Sequence, residues 1–216
     1  MPSSTRSGLS RFLFGADPVR RAIYIAGMVP ALWTFYLGVT AQLGADPQNT
    51  LLRTLGLWAL RFLIIGLAVS PLRQLGGPNL IRYRRAAGLL AFYYAALHLT
   101  VYLVLDQGLD LAAIWADIVK RPYITVGMLA FALLVPLAVT SNDAMIRRLR
   151  GGAWQRLHRL AYVAAAAAAV HFIMLVKAWP PEPLVYAGLV ALLLLFRLVA
   201  SLRKQRRRVA ASQAAK

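Results

Sequence analysis

Cysteine is absent from this sequence of 216 residues, and acidic residues are scarce. The absence of cysteine excludes disulfide bonds, thiolate-bound iron, iron–sulfur clusters and thiol redox chemistry. Seven Asp and Glu residues stand against 25 Lys and Arg residues, which gives a formal net charge of +18. Histidine, methionine and oxygen atoms remain as the ligands that the chain can offer to a metal.

Charged residues of either sign make up only 15% of the chain and apolar residues 60%, a composition that does not suit a soluble domain. A strong positive charge can indicate nucleic-acid binding. Here the arginines lie between long apolar runs, which is the pattern that a bilayer imposes on a helical protein. The sequence therefore predicts contact with membrane lipid and no nucleic acid as partner.

Six apolar runs are near the roughly 20 residues that cross a bilayer as a helix. The first is uncharged over 24 residues, from Ala22 to Ala45, which is too long for a cleaved signal peptide. Arg61 interrupts the second run, and Arg197 lies near the end of the sixth. We predict an all-α integral membrane protein, a six-transmembrane-helix bundle with spans at 22–43, 52–72, 86–105, 123–140, 158–176 and 184–202.

Lysine and arginine counts predict the orientation, because positively charged connections are retained in the cytoplasm. With both termini cytoplasmic, 19 Lys and Arg residues lie on the inner side and four on the outer side. This asymmetry predicts a basic cytoplasmic tail (1–21), a transmembrane domain (22–202) and a second basic cytoplasmic tail (203–216).

The three histidines of the chain, His98, His158 and His171, all fall within or at the end of a predicted span. Ionisable residues are costly in lipid and often mark a functional site. Neutral imidazole is the commonest metal ligand and a standard axial ligand of haem. The alternative is that the histidines form hydrogen bonds between helices, as polar residues in membrane bundles often do.

The depths of two histidines match. His98 lies 12 residues from Ala86 at the inner face, or about 18 Å into the membrane, and His171 lies six residues before Lys177, or about 9 Å below the outer surface. In a hydrocarbon layer of about 30 Å these heights are similar. The sequence therefore predicts one haem between spans three and five, with His98 and His171 as axial ligands.

His158 lies 13 residues before His171, about 20 Å along the same helix and about 140° around it if the helix is straight. This spacing suits two stacked haems better than one shared site. The inner level offers no second histidine, so a second haem at His158 would need a different ligand, a shared ligand or an open position.

Arg61 is a candidate partner for a haem propionate. It lies eight positions from Arg53, or about 12 Å deep, near the level of His98. A buried guanidinium is usually paired, and its planar fork suits a carboxylate. The alternative is that Arg61 reaches the interface or bonds a carbonyl at a helix end.

Several short segments, in this order and spacing, resemble the MsrQ family, the haem-binding membrane subunits of bacterial periplasmic methionine-sulfoxide reductase systems. The resemblance covers most of the chain. The segments are Gly44-Ala45-Asp46-Pro47, Leu60-Arg61-Phe62-Leu63, Pro71-Leu72-Arg73, Leu97-His98-Leu99-Thr100, Lys120-Arg121-Pro122-Tyr123-Ile124-Thr125, Thr140-Ser141 and Trp154-Gln155-Arg156-Leu157-His158.

The resemblance implies a b-type cytochrome-like protein of the bacterial inner membrane, related to ferric reductases, whose haem ligands match His98, His158 and His171. It implies electron transfer from quinone or a cytosolic flavin reductase to a periplasmic molybdopterin methionine-sulfoxide reductase. FMN is expected from the resemblance alone. The chain would then be a subunit and not an enzyme by itself; the alternatives are a ferric or oxygen reductase and a small proton-coupled permease.

Overall fold

The computed structural model describes residues 17–175 and 180–214, and the regular elements of these two ranges are all helical. A short 3-10 turn precedes α3 and a π-helical turn follows it. The helices are α1 (Pro18–Val39), α2 (Pro47–Gln74), α3 (Arg84–Val101), α4 (Leu111–Lys120), α5 (Pro122–Val139), α6 (Asp143–Arg148), α7 (Arg150–Leu157), α8 (Leu160–Leu175) and α9 (Pro181–Ala214).

Six segments of the described chain are long and apolar enough to cross a membrane. This confirms the predicted all-α bundle of six spans. The orientation of the termini and the division into tails and core stay predictions, and Arg6, Arg11, Lys177 and Lys216 of the charge count lie outside the described residues. The segments are Pro18–Val39, Pro47–Gln74, Ile81–Asp106, Pro122–Val139, Arg150–Leu175 and Pro181–Gln213.

Two spans begin at an Asp-Pro pair. The side chain of Asp46 accepts a hydrogen bond from the Asn49 N–H at 3.1 Å, and Pro47 occupies the first helical turn. Asp17 and Pro18 begin α1 in the same way. An acidic N-cap accepts a hydrogen bond from an amide that the helix leaves unpaired. Proline is tolerated in the first turn, where its missing N–H would have no partner within the helix. This local chemistry fixes where α2 enters the bundle.

The predicted fifth span corresponds to α8, and a turn at its start separates it from α7. Helix α7 ends at Leu157, His158 and Arg159 form a turn, and α8 begins at Leu160. The ring of His158 stacks on Trp154 with centroids 3.9 Å apart. The expected rotation between His158 and His171 assumed a continuous helix and therefore does not apply.

Helix α2 lies at the centre of the bundle and packs most closely on α3, while α5 packs on α8. The largest side chains that are fully buried are Leu55, Leu90 and Tyr94. Helix α9 instead exposes apolar side chains such as Leu192 and Leu195, as expected of a surface in contact with lipid. The four closely packed helices α2, α3, α5 and α8 form the walls of the site.

Candidate functional site

His98 on α3 and His171 on α8 face each other between the helices. Their ring centroids are 6.3 Å apart, and the ring planes meet at 80°. Each ring is partly buried. The structure thus brings together the two histidines whose depths were predicted to match.

Both rings are held by a backbone carbonyl. Nδ1 of His98 lies 2.9 Å from the carbonyl oxygen of Leu52, and Nδ1 of His171 lies 2.7 Å from that of Tyr123. A carbonyl oxygen only accepts, so each Nδ1 must carry the hydrogen and donate. Nε2 of each neutral ring then keeps its lone pair, which is the arrangement of a histidine prepared to bind a metal.

Each ring also lies against a glycine. A Cβ atom built on Gly56 of α2 would be 3.1 Å from Nδ1 of His98, and one built on Gly127 of α5 would be 2.8 Å from Nδ1 of His171. We did not predict these glycines from the sequence. A glycine inside a helical apolar run is the signal that points to such a close approach.

The two histidines line a cavity of about 540 Å³, which we call the His-pair cavity. This volume is within the range of about 300–1,000 Å³ that is usual for cofactor sites. Its apolar wall includes Leu60, Leu63, Phe131, Leu134 and Ala168. Its polar rim, at the end of the bundle where α2 and α5 begin, includes Asp46, Arg53, Asp106 and Arg121.

The residues of the His-pair cavity fit a haem better than a bare metal ion. Among the described residues, no three His, Cys, Asp or Glu side chains are grouped to hold an ion. Two imidazoles supply two ligands, and metal–imidazole bonds of about 2 Å leave room for one iron between rings 6.3 Å apart. Arg53 and Arg121 at the rim are suited to carboxylates.

Arg61 does not line the His-pair cavity. Its Nε donates to the Tyr186 hydroxyl at 2.8 Å, and its guanidinium lies over the Trp58 ring, 4.8 Å from the centroid. Arg197, the other arginine within a span, donates similarly to the Tyr162 hydroxyl at 2.9 Å. The role of Arg61 as a propionate partner stays a prediction. Arg53 and Arg121, which we did not single out from the sequence, line the His-pair cavity and are better placed to bind a propionate.

His158 lies apart from the other two histidines. Its Nε2 is 3.0 Å from Oγ1 of Thr140, whose hydroxyl also bonds the Pro136 carbonyl. The Trp154 indole N–H donates to the Thr140 carbonyl at 2.9 Å. A turn, a ring stack and two hydrogen bonds therefore fix His158 against the end of α5.

His158 lines a second cavity of about 610 Å³, which we call the Arg-rimmed cavity. Leu63 and Leu134 line both cavities, so a thin apolar wall separates them. Arg85 bonds Asp143 at 2.7 Å, and this contact holds the pKa of the Asp143 carboxyl below its usual value. The arginines on the lining are Arg20, Arg82, Arg84, Arg85 and Arg159.

The amino-acid sequence of the chain matches a family model and several known proteins. The family described as ferric reductase like transmembrane component matches residues 55–169, a stretch that includes His98 and His158. Proteins of Brucella ovis, Brucella canis and Brucella suis are each 64% identical to the chain over 176 residues, which is 82% of this chain and 80% of each relative. They are named protein-methionine-sulfoxide reductase heme-binding subunit MsrQ.

Proposed function

Since the chain belongs to the ferric-reductase-like transmembrane family and to its group of MsrQ subunits, we propose that it carries electrons across a bacterial inner membrane to a methionine-sulfoxide reductase. The acceptor would be the periplasmic molybdopterin subunit that reduces oxidised methionine in proteins. The observation that carries the proposal is the pair His98 and His171, whose rings lie 6.3 Å apart on the lining of one cavity and whose Nδ1 atoms are each bonded to a backbone carbonyl.

Haem b, when bound, supplies a one-electron iron couple that no side chain of this cysteine-free protein offers. His98 and His171 would hold it from α3 and α8, each with its Nδ1 fixed by a carbonyl of a neighbouring helix. The apolar wall excludes water, and Arg53 and Arg121 would bind propionates at the rim.

Electrons would enter through the Arg-rimmed cavity. This cavity is adjacent to the His-pair cavity, because Leu63 and Leu134 line both. Quinone or a cytosolic flavin reductase would be the donor. A second haem at His158 and a bound FMN remain predictions; Nε2 of His158 bonds Thr140, so a metal there would need Nδ1 or a rearranged side chain. The chain supports electron transfer as a subunit, with substrate reduction left to its partner.

Substitution of the histidines tests the proposal. The purified chain should show a low-spin haem spectrum, which His98→Ala and His171→Ala each abolish or convert to a different line shape by removing an axial ligand. His158→Ala is the matched control and should remove at most a separate haem population. Wild-type haem content and line shape in both His98→Ala and His171→Ala would refute the assignment, and a colourless wild-type protein would refute haem binding altogether.

A further inference from the structure

The two histidines of the His-pair cavity are held by the same local device on two different helices. His98 bonds the carbonyl of Leu52 and lies against Gly56, while His171 bonds the carbonyl of Tyr123 and lies against Gly127. In both cases the glycine follows the carbonyl residue by four positions. In an α-helix the N–H of residue i+4 bonds the carbonyl of residue i. Each ring therefore lies against one helical turn, bonded to the carbonyl at its start and in contact with the glycine at its end.

Among the described glycines, Gly56 and Gly127 are the two at which an added Cβ would meet a histidine ring. A Cβ on Gly127 would approach Nδ1 and Cε1 of His171 to 2.8 and 2.9 Å, distances that real Cβ atoms do not adopt. On Gly56 the corresponding distances to His98 are 3.1 and 3.2 Å, which is tight. On Gly66, also in α2, a Cβ would meet only the Cβ of Ala87 at 3.9 Å, an ordinary contact.

We propose that Gly56 and Gly127 are positioning residues that form glycine seats for the two haem-binding imidazoles. A seat is defined here as the glycine together with the carbonyl four residues before it. This inference rests on the proposed function. The seat sets three properties of each histidine: the hydrogen stays on Nδ1, the ring cannot rotate away from the carbonyl, and Nε2 keeps a fixed direction.

The chemical consequence follows from the hydrogen bond. A carbonyl that accepts from Nδ1–H makes Nε2 a stronger ligand and fixes the plane of the ring. A methyl group at the seat displaces the ring from the carbonyl, so that this hydrogen bond lengthens or breaks. Both the affinity for haem and the reduction potential of the iron should therefore change, although no ligand has been removed.

The test compares Gly127→Ala and Gly56→Ala with the matched control Gly66→Ala. Haem is titrated into the apoprotein, and the reconstituted protein is examined by electron paramagnetic resonance and redox titration. Loss of an outer-shell partner typically lowers metal affinity about 10- to 100-fold, and we expect this range for Gly127→Ala. Gly56→Ala should lose less than about tenfold, because its contacts are less severe, and Gly66→Ala should match the wild type in affinity, resonance positions and potential.

The order of the three variants makes the proposal falsifiable. If Gly127→Ala does not accumulate as folded protein, Gly56→Ala alone must still shift the resonance and the potential relative to Gly66→Ala. Equal effects of Gly56→Ala and Gly66→Ala would mean that the glycines serve helix packing only, and would overturn the seats. Wild-type behaviour of the two seat variants would overturn them as well.

A haem-independent measurement separates this inference from the proposed function. Nitrogen-15 resonances of the histidines in the apoprotein should report Nδ1–H for His98 and His171, and the signal of the affected ring should change in each seat variant. If the wild-type chain bound no haem, the proposed function would fail while this measurement still decided on the seats. Unchanged histidine resonances in Gly127→Ala and Gly56→Ala would refute them.

Discussion

The arginines within the spans and those at the rim of the His-pair cavity have different partners. Arg61 and Arg197 lie within spans and donate to the hydroxyls of Tyr186 and Tyr162, so their charges are solvated by tyrosine oxygen and aromatic rings. Arg53 is exposed at the rim of the His-pair cavity, and Arg121 shares that rim while bonding Asp117 at 3.3 Å. The rim arginines are therefore the ones that an anionic group of a bound cofactor would meet.

This placement predicts the order in which arginine substitutions weaken haem binding. Arg53→Gln and Arg121→Gln should each lower the affinity by up to about fivefold, because exposed ion pairs contribute no more than about 1 kcal/mol. Arg61→Gln keeps the cavity lining and should have a smaller effect on affinity. Haem titration of the three apoproteins measures this, and a larger loss in Arg61→Gln than in either rim variant would restore Arg61 as the propionate partner.

At the scale of the helices, one side chain of α3 forms hydrogen bonds with two backbone groups of α1. The buried hydroxyl of Tyr94 accepts from the Ala31 N–H at 2.9 Å and donates to the Gly27 carbonyl at 2.7 Å. A Cβ on Gly27 would lie 2.5 Å from Cδ1 of Leu90, so the glycine permits the close approach of α3. Hydrogen bonds between membrane helices contribute about 0.6–2 kcal/mol each.

Removal of that hydroxyl should loosen α1. Tyr94→Phe loses two hydrogen bonds in a fully buried position, and we expect the free energy of unfolding to fall by about 1–3 kcal/mol. Tyr93→Phe is the neighbouring control, because Tyr93 is 42% exposed and its substitution should change stability by less than about 0.5 kcal/mol. Thermal unfolding in detergent measures both, and equal melting temperatures for the two variants would contradict the role of Tyr94.

At the scale of the whole molecule, charge and helix length distinguish the two ends of the bundle. Helix α9 has 34 residues and is about 51 Å long, which exceeds the hydrocarbon layer of about 30 Å. Its exposed basic residues, including Arg203 and Arg207, lie near its C-terminal end, more than about 30 Å along the helix from Pro181. The Arg-rimmed cavity carries five more arginines. Positive charge of this kind is retained in the cytoplasm.

We therefore expect both termini on the cytoplasmic side. After residue 216, a reporter that works only in the cytoplasm should be active, and one that works only in the periplasm should be inactive. In the loop that contains Gly108, the two reporters should show the opposite result. Activity of the C-terminal fusion in the periplasm alone would overturn the orientation and, with it, the assignment of the His-pair cavity to the outer half of the membrane.

The same orientation predicts the direction of electron flow. In vesicles of known sidedness, a flavin reductase with its reductant on the cytoplasmic face should reduce the haem. A methionine-sulfoxide reductase with substrate on the opposite face should then reoxidise it. Haem that stays reduced in the presence of active partner and substrate would refute this route, and omission of the substrate is the control.

The sequence by itself determined the number of spans and the level of the histidine pair. Hydropathy is a property of consecutive residues, so six apolar runs gave six spanning helices. The rise per residue in a helix is constant, so counting from the charged ends placed His98 and His171 at one height, and their rings lie 6.3 Å apart. The depth of Arg61 was predicted in the same way, but counting gave no direction for its side chain.

Tertiary structure decided everything that depends on rotation about the helix axes and on contacts between distant segments. Counting along the chain gives a depth but not the neighbour that a side chain contacts. Arg61 is the example, because it donates to the hydroxyl of Tyr186, which is 125 positions away. The turn at His158 depends on Thr140 and Trp154, whose contacts no local pattern reports. The glycine seats depend on contacts between helices: His98 of α3 lies against Gly56 of α2, and His171 of α8 lies against Gly127 of α5.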